Sequence, residues 1–197
     1  DPSLGDFFTE EYALNHLIFS YPKPYIVFMD GINMGGGMGL CGHGRPAGST
    51  LRIATERSKL AMPETHIGLF PDVGGGYFLS RCPGFSGEWL ALTGAAVGAG
   101  EAMTLGLADA YMESTQLTPA WVALGQVDLR TEHALQTWVT TFSGAIPAYP
   151  ARAIGQIDQY FSLSSVPEIV QACEADPAPW AQQAAQALRH NSALMAH

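Results

Sequence analysis

Two runs of glycine, each beside a short apolar segment, constrain the fold of this chain more than any other feature. The run at residues 35–39 (Gly-Gly-Gly-Met-Gly) follows Tyr25–Met29, whose β-branched and aromatic residues predict a buried strand. The run at residues 74–76 ends a loop before a predicted helix. Glycine accepts a positive φ and lets a ligand approach the backbone, so such a loop at a helix start can hold an anion or a developing oxyanion. A tight strand-to-helix connection explains the same pattern, and both interpretations stay open.

Motifs and composition exclude several other classes of protein. The first glycine run does not have the G-x-G-x-x-G spacing of a dinucleotide site, and no lysine follows it as in a phosphate-binding loop. The 197 residues carry 18 acidic and 9 basic side chains, a net charge of -9, which argues against a nucleic-acid partner. No apolar run reaches the roughly 20 residues that span a bilayer, so no membrane partner is predicted. The 3 cysteines and 6 histidines lack C-x-x-C and H-x-x-x-H spacing, which predicts no disulfide framework and no metal site.

Predicted strands occupy the first half of the chain and predicted helices dominate the second. Besides Tyr25–Met29, strands are predicted at residues 51–55, 59–62 and 109–112. An amphipathic helix is predicted at 6–20, with its apolar stripe on Phe7, Phe8, Tyr12, Leu14, Leu17 and Ile18. Further helices are predicted at 77–82, 87–93, 101–105, 117–124, 131–142, 151–160, 166–173 and 177–188. This order predicts an α/β core at residues 1–115 and a helical region at residues 116–197.

Two carboxylates, Glu64 and Asp72, are the candidate reactive groups. Each follows a proline, and they lie eight residues apart among Met, Ile, Leu, Phe and Val side chains. Apolar surroundings raise the pKa of a carboxyl group toward the range useful for proton transfer. One carboxylate of such a pair can orient water or substrate while the other moves a proton. Two loop carboxylates that cap helices, with Asp72 at an N-cap, are the structural alternative.

Taken together, these segments resemble the crotonase (enoyl-CoA hydratase/isomerase) superfamily, and within it the 3-hydroxyisobutyryl-CoA hydrolase branch. The resemblance is dense over residues 5 to 112 and looser in the helical remainder. It implies a partial ββα spiral core, with the amino-terminal part absent, followed by a helical region. The matching segments are Glu10-Glu11-Tyr12, Lys23-Pro24-Tyr25, the stretch from Gly31 to Leu40, His43-Gly44, Arg52 to Glu56, Ala61 to Thr65, Gly68 to Gly76, and Leu90 to Gly94.

The resemblance also implies a reaction. Hydratases of this superfamily carry one catalytic Glu at the position of Gly39 and another at the position of Glu64. They typically have glycine at the position of Asp72, where the hydrolase branch has Asp. One carboxylate is lost and another gained, which implies an acyl-CoA thioester hydrolase, specifically a 3-hydroxyisobutyryl-CoA hydrolase of valine catabolism. A hydratase or isomerase that acts on another acyl-CoA, and a non-catalytic scaffold, are the alternatives.

The same resemblance assigns roles to individual residues. The backbone N–H of Gly36 is expected to be one donor of the oxyanion hole, and Glu64 to be the nucleophile or general base. Asp72 is expected to assist water or to bind the substrate's 3-hydroxyl, and Glu11 to line the substrate site. No metal and no separate cofactor are expected, because coenzyme A enters as part of the substrate. His43 is expected to be a packing residue, while Arg45 and Arg52 are candidate contacts for CoA phosphates.

Two departures from the family pattern carry further expectations. Glu64 lies 25 residues after Gly39, about five more than in the hydratases, which indicates an insertion in the stretch from Arg45 to Leu51. The family's amino-terminal portion, with the second oxyanion donor, has no counterpart here, so the chain is expected to be a fragment of a longer protein. A homo-oligomer is possible in this family. Location is expected to be cytoplasmic if the source is bacterial and mitochondrial if it is eukaryotic.

Overall fold

The described strands assemble into two small parallel sheets. In the computed structural model, which describes residues 2–44, 50–131, 133–149 and 152–192, the larger sheet has the order β1 (Tyr25–Met29), β3 (Thr50–Ala54) and β5 (Ala110–Tyr111). The smaller sheet pairs β2 (Ile32–Met34) with β4 (Lys59–Ala61). Parallel neighbours cannot be joined by a tight hairpin, so the chain crosses over between β1 and β3 and again between β3 and β5.

Helices pack around these sheets. The helices of the first half are α1 (Pro2–Ser20), α2 (Gly36–Cys41), α3 (Gly75–Leu79), α4 (Ser86–Thr93) and α5 (Ala99–Thr104). A short 3₁₀ helix at Glu64–Ile67, which we call the Glu64 turn, follows β4. The second half holds a 3₁₀ helix at Ser114–Gln116, then α6 (Leu117–Leu124), α7 (Ala134–Phe142), α8 (Arg152–Phe161), α9 (Val166–Ala175) and α10 (Pro179–His190).

The buried apolar side chains form three clusters. The first lies between the strands and helices α2–α5 and contains Met29 and Phe78. The second lies among α8–α10 and reaches α4 through Trp89 and Leu92. The third covers the other face of the larger sheet with α6 and α7, where Trp138 is buried and donates from Nε1 to the carbonyl of Ala120 (2.9 Å). Helices of the second half therefore pack on the α/β core from two sides, and the division at residue 115 stays a prediction.

Helix α1 ends where predicted but begins at Pro2, four residues earlier than predicted, and its buried stripe is narrower than predicted. Among the described residues Asn15 and Ile18 are its buried positions, at 6% and 6% exposure. Phe7, Leu14 and Leu17 were expected in the stripe, yet each is exposed by 44% to 57%. The described contacts of α1 reach α2, the Asp72 carboxylate and Tyr77 of α3, and its other faces stay exposed. Two prolines, Pro22 and Pro24, follow its end and stop the helix, as predicted.

The glycine segments contain more regular structure than their residue types predict. Strand β2 and helix α2 both lie in the segment that the sequence treats as a loop. The segment 65–76, predicted as a loop, begins within the Glu64 turn and ends in the first residues of α3. Glycine has a poor intrinsic helix propensity, so packing rather than local preference stabilises these pieces. The buried Met38 and Cys41 of α2 supply that packing.

The remaining predicted elements are confirmed to within three residues at each end. Of the predicted insertion from Arg45 to Leu51, residues 45–49, with the candidate Arg45, lie outside the described residues, and Thr50 and Leu51 begin β3. No described helix is both long enough and apolar enough to cross a membrane.

Candidate active site

The first glycine run turns the chain from β2 into α2. Gly35 has a φ of 52°, which a side chain would strain, and its N–H donates to the carbonyl of Ala61 (3.1 Å), which ties the turn to β4. Gly36 is the first residue of α2, so no carbonyl within that helix can accept from its N–H. The turn therefore carries a backbone donor at the position where the sequence predicts an oxyanion site.

Glu64 lies directly against this turn. Its side chain is 5% exposed, and its Oε1 is 2.7 Å from the position that a Cβ on Gly35 would take. Its Oε2 has no hydrogen-bond partner among the described residues. Burial raises the pKa of Glu64, and the negative charge of Asp72 raises it further. A poorly solvated carboxylate with a raised pKa is suited to act as a base near neutral pH.

Asp72 reaches the same place from a strained loop. The next residue, Val73, is buried with a φ of 43°, and Gly74 has a φ of 90°. A β-branched residue with positive φ is rare and costly, and such strain gathers at functional sites. The Asp72 carbonyl accepts from the N–H of Gly75 (2.6 Å), which closes the loop at the start of α3.

Tyr12 holds the Asp72 carboxylate and was not predicted as a functional residue. Its hydroxyl donates to Asp72 Oδ2 at 2.7 Å from α1, 60 residues earlier in the chain. Partial burial, the hydrogen bond to Asp72 and its charge raise the pKa of Tyr12 to about 12, so the hydroxyl keeps its proton at neutral pH. The available signal was its position beside Glu11 in a segment that matches the family.

One cavity of about 400 Å³, the site cavity, collects the predicted residues. Glu11, Gly36, Glu64 and Asp72 all line it. Glu11 reaches it from α1, with its Oε1 2.9 Å from the position of a Cβ on Gly36. The other lining residues are Phe8, Met34, Gly35, Pro63, His66, Ile67, Leu69 and Val73. The arrangement therefore combines three carboxylates and a glycine turn around one space with apolar walls.

Gly39 lies beneath this cavity, where no side chain fits. A Cβ there would stand 2.6 Å from Cβ of Val73 and 2.9 Å from Nδ2 of Asn15. Asn15 is buried and donates from Nδ2 to the Gly39 carbonyl (3.0 Å). Helix α2, helix α1 and the Asp72 loop thus meet at a residue that must be small.

Two other residues that the sequence singled out, His43 and Arg52, are buried and make structural contacts. His43 is 5% exposed and packs edge-on against Phe19 and Phe78, and burial lowers its pKa, so its ring is neutral near pH 7. The suggestion that Arg52 contacts CoA phosphates is wrong. Arg52 is 6% exposed and forms a bidentate ion pair with Asp109, with nitrogen–oxygen distances of 2.9 and 2.7 Å.

A second cavity of about 550 Å³ lies behind the Glu64 turn. His66 lines both cavities, and residues of α4, α8 and α10, including Trp89 and Trp180, line the second. Within the part of the chain that the structure describes, no group of three or more His, Cys, Asp or Glu side chains is arranged to hold a metal ion.

Comparison with known proteins finds one family along the whole chain. The model of the enoyl-CoA hydratase/isomerase family matches residues 1–197. The chain is 38% identical to 3-hydroxyisobutyryl-CoA hydrolase 1 of Arabidopsis thaliana, with 95% of this chain and 50% of that protein covered. It is 38% identical to the mitochondrial 3-hydroxyisobutyryl-CoA hydrolase of Xenopus tropicalis (93% and 48% covered) and 37% identical to the small ribosomal subunit protein mS47 of Neurospora crassa (95% and 38% covered). The chain thus spans about half the length of the curated hydrolases it matches.

Solved structures share the fold at similar identity. A carnitinyl-CoA dehydratase from Mycobacterium thermoresistibile superposes with a TM-score of 0.86 and 37% identity, over 97% of this chain and 53% of that one. An enoyl-CoA hydratase from Rhodobacter sphaeroides 2.4.1 gives a TM-score of 0.83 and 38% identity, over 97% and 52%. The names of relatives therefore include hydrolases, a dehydratase and a hydratase, and the choice among these reactions depends on the geometry of the site.

Proposed function

The chain belongs to the enoyl-CoA hydratase/isomerase family, and on that basis we propose that it acts as an acyl-CoA thioester hydrolase with 3-hydroxyisobutyryl-CoA as its substrate. One observation carries the choice of reaction. Glu64 and Asp72 line the same cavity, whereas Gly39, the position of the second hydratase carboxylate, has no space for a side chain. Without a Glu at position 39, the pair of Glu residues that hydratases of this superfamily use is incomplete. This supports hydrolysis over hydration, although relatives with both names are equally similar.

In the proposed reaction the thioester carbonyl accepts a hydrogen bond from the Gly36 N–H, which stabilises the negative charge that develops on oxygen. Glu64 either attacks the acyl carbon or takes a proton from the water that attacks it. In both routes water is consumed, the C–S bond breaks, and coenzyme A leaves as a thiolate that is then protonated. Direct attack forms a mixed anhydride between Glu64 and the acyl group. In single-turnover hydrolysis in ¹⁸O-water, ¹⁸O enters the Glu64 carboxyl when water opens this anhydride at Glu64, whereas the general-base route never places ¹⁸O there.

Asp72 is the proposed contact for the 3-hydroxyl of the substrate. The Tyr12 hydroxyl donates to Oδ2 of this carboxylate, so Oδ1 is left to accept a hydrogen bond from a substrate hydroxyl or from water. Glu11 lines the same cavity beside Gly36 and is proposed to contact substrate there. No separate cofactor enters this proposal, because coenzyme A arrives with the substrate.

The proposed setting follows from the relatives. Relatives named 3-hydroxyisobutyryl-CoA hydrolase support a place in valine catabolism, and vertebrate relatives named mitochondrial support a mitochondrial location for a eukaryotic source. A cytoplasmic location for a bacterial source and formation of a homo-oligomer stay predictions. The net charge of -9 supports the absence of a nucleic-acid partner.

The test measures coenzyme A release from 3-hydroxyisobutyryl-CoA and from isobutyryl-CoA, which lacks the 3-hydroxyl, using the complete polypeptide. Glu64→Gln is expected to lower kcat by about 10²- to 10⁴-fold, as expected for loss of a positioned base or nucleophile. Asp72→Asn is expected to lower kcat/KM more for the hydroxylated substrate than for isobutyryl-CoA. Glu10→Gln is the matched control, since Glu10 is an exposed carboxylate on α1 outside the cavity lining. Full activity in Glu64→Gln would remove Glu64 from the mechanism.

The two alternatives predict different results in the same preparation. A hydratase would add water to a 2-enoyl-CoA without releasing coenzyme A. A non-catalytic scaffold, a role suggested by the relative named as a ribosomal protein, would release none from any acyl-CoA and would bind RNA in a salt-dependent manner.

A further inference from the structure

The end of α10 closes back onto the residue beside Glu64. Asn191, 7% exposed, donates from Nδ2 to Oγ1 of Thr65 (3.2 Å) and to the carbonyl of Leu92 (2.8 Å). The N–H of Ser192 donates to the carbonyl of Thr65 (3.0 Å). Asn191 and Thr65 lie 126 residues apart in the chain. These contacts connect the helical region directly to the Glu64 turn.

A second set of contacts holds the same turn from the end of α4. Oγ1 of Thr65 donates weakly to the carbonyl of Ala91 (3.5 Å), and Nε2 of His66 lies 3.0 Å from the carbonyl of Thr93. Thr65 itself is 1% exposed. Asn191 donates to Thr65 in the turn and to the carbonyl of Leu92 in α4, so it links the turn to α4.

The Glu64 turn depends on such support for two reasons. It is a four-residue 3₁₀ helix, and 3₁₀ hydrogen bonds have poorer geometry than those of an α-helix. The Glu64 carboxylate does not tie the turn to another element, because its Oε2 has no partner among the described residues and the hydrogen bond that acts on its pKa comes from the backbone of Glu64 itself. The backbone of the turn, rather than bonds to the carboxylate, sets the position of Glu64 in the site cavity.

We propose that Asn191 is a positioning residue, which fixes the Glu64 turn through Thr65 and thereby the Glu64 carboxylate. Its effect on turnover rests on the proposed hydrolase function, whereas its effect on the turn does not. A small displacement of a reacting group lowers kcat much more than it lowers substrate affinity. The helical region therefore contributes to the site by holding a catalytic segment in place.

The activity test compares Asn191→Ala with Gln182→Ala. Gln182 also donates from a side-chain amide to carbonyls, those of Cys173, Glu174 and Asp176, but these contacts stay within the helical region. Asn191→Ala is expected to lower kcat by on the order of 10-fold with little change in KM, and Gln182→Ala to leave kcat near wild type. An equal loss of kcat in both variants would show a general effect of weakened helices and would overturn the proposal.

A double-mutant cycle tests whether Asn191 acts through Thr65. Thr65→Val removes the hydroxyl at similar volume, while Thr65→Ser keeps it and is expected to retain activity. The loss of kcat in the double variant is expected to be smaller than the sum of the losses in Asn191→Ala and Thr65→Val, because both single variants remove the hydrogen bond between Asn191 and Thr65 besides one separate bond each to α4. Additive losses would contradict the proposed route.

Hydrogen exchange supplies a measurement that does not need turnover. The N–H of Leu69 donates to the carbonyl of Glu64 (3.0 Å) and reports on the turn. Its exchange is expected to accelerate at least several-fold in Asn191→Ala and to stay at the wild-type rate in Gln182→Ala. That result supports the positioning role even if the wild-type protein releases no coenzyme A, in which case only the proposed function fails. Unchanged exchange in Asn191→Ala would overturn the positioning role.

Discussion

At the scale of single residues, burial and charge act on Glu64 in the same direction. Both raise its pKa, burial more than the charge of Asp72. A base must be ionised to act. We therefore expect kcat/KM for coenzyme A release to fall as the pH decreases, with the midpoint of the fall above the ordinary pKa of a glutamate. Asp72→Asn removes the charge that contributes to the shift, so the acidic limb of its pH profile is expected to move to lower pH. Glu10→Gln should leave the limb in place, and a limb that stays or rises in Asp72→Asn would contradict this account.

The same shift affects stability with a definite sign. A carboxyl whose pKa is raised on folding binds its proton more tightly in the folded state, so its contribution to stability is lost as pH rises through the folded pKa. Protonated Glu64 therefore favours the folded state, whereas the ionised form that the reaction needs lowers the stability of the fold. Such a conflict is common at active sites.

The role proposed for Tyr12 follows from its hydrogen bond to Asp72 and was not predicted from the sequence. Hydrogen bonds to charged groups contribute about 1.5–3 kcal/mol, so Tyr12→Phe is expected to lower kcat/KM for 3-hydroxyisobutyryl-CoA by about 10-fold or more. Tyr21→Phe is the control, since Tyr21 follows the same helix but, unlike Tyr12, has no described hydrogen bond to Asp72. Wild-type kcat/KM in Tyr12→Phe would show that Asp72 needs no support from α1.

At the scale of elements, α2 and the Asp72 loop interlock at Gly39. Alanine favours a helix over glycine by about 0.5–1 kcal/mol, but at Gly39 its Cβ would lie 2.6 Å from Cβ of Val73. Gly39→Ala is therefore expected to lower the free energy of unfolding by about 1–3 kcal/mol, as overpacked cores do, and to displace Asp72. Gly37→Ala, two residues earlier in the same helix with nothing within 4 Å of its Cβ, is the matched control and should be neutral or stabilising. Urea unfolding measures both, and a Gly39→Ala variant as stable as Gly37→Ala would contradict the interlock.

At the scale of the whole molecule, the three buried cysteines lie in two separate apolar clusters and can be used to follow the unfolding of each. Cys41 and Cys82 lie in the cluster of the α/β core, and Cys173 lies in the cluster of α8–α10. Burial raises the pKa of all three thiols, that of Cys41 to about 12 and that of Cys82 to about 11. Burial and the low thiolate fraction together are expected to make the native protein slow to react with thiol reagents.

Labelling in increasing urea then tests the predicted division at residue 115. The cluster of α8–α10 is separate from the cluster of the α/β core and meets it at α4, through Trp89 and Leu92 among other side chains. Cys173 is therefore expected to become reactive at lower urea than Cys41 and Cys82, measured in variants that each keep one cysteine. A common midpoint for all three would show that the two regions unfold as one cooperative unit.

The sequence by itself determined the local elements, the family and the candidate residues. Short apolar runs predicted β1, β3 and β4, helical periodicity predicted the later helices, and the glycine and carboxylate motifs indicated the family. These features depend on neighbours in the chain, so they can be read without the fold. The same local logic failed in the glycine segments, where β2 forms by pairing with β4 and α2 forms by packing despite its weak helix propensity.

Only the tertiary structure decided which groups meet. It brings Glu11 and Gly36 beside Glu64 and Asp72, although the roles of these residues stay predictions. It also places Tyr12 on Asp72 across 60 residues and Asn191 on Thr65 across 126. The physical reason is that a hydrogen bond between distant side chains depends on how whole elements pack, to about an ångström, and neither periodicity nor propensity carries that information.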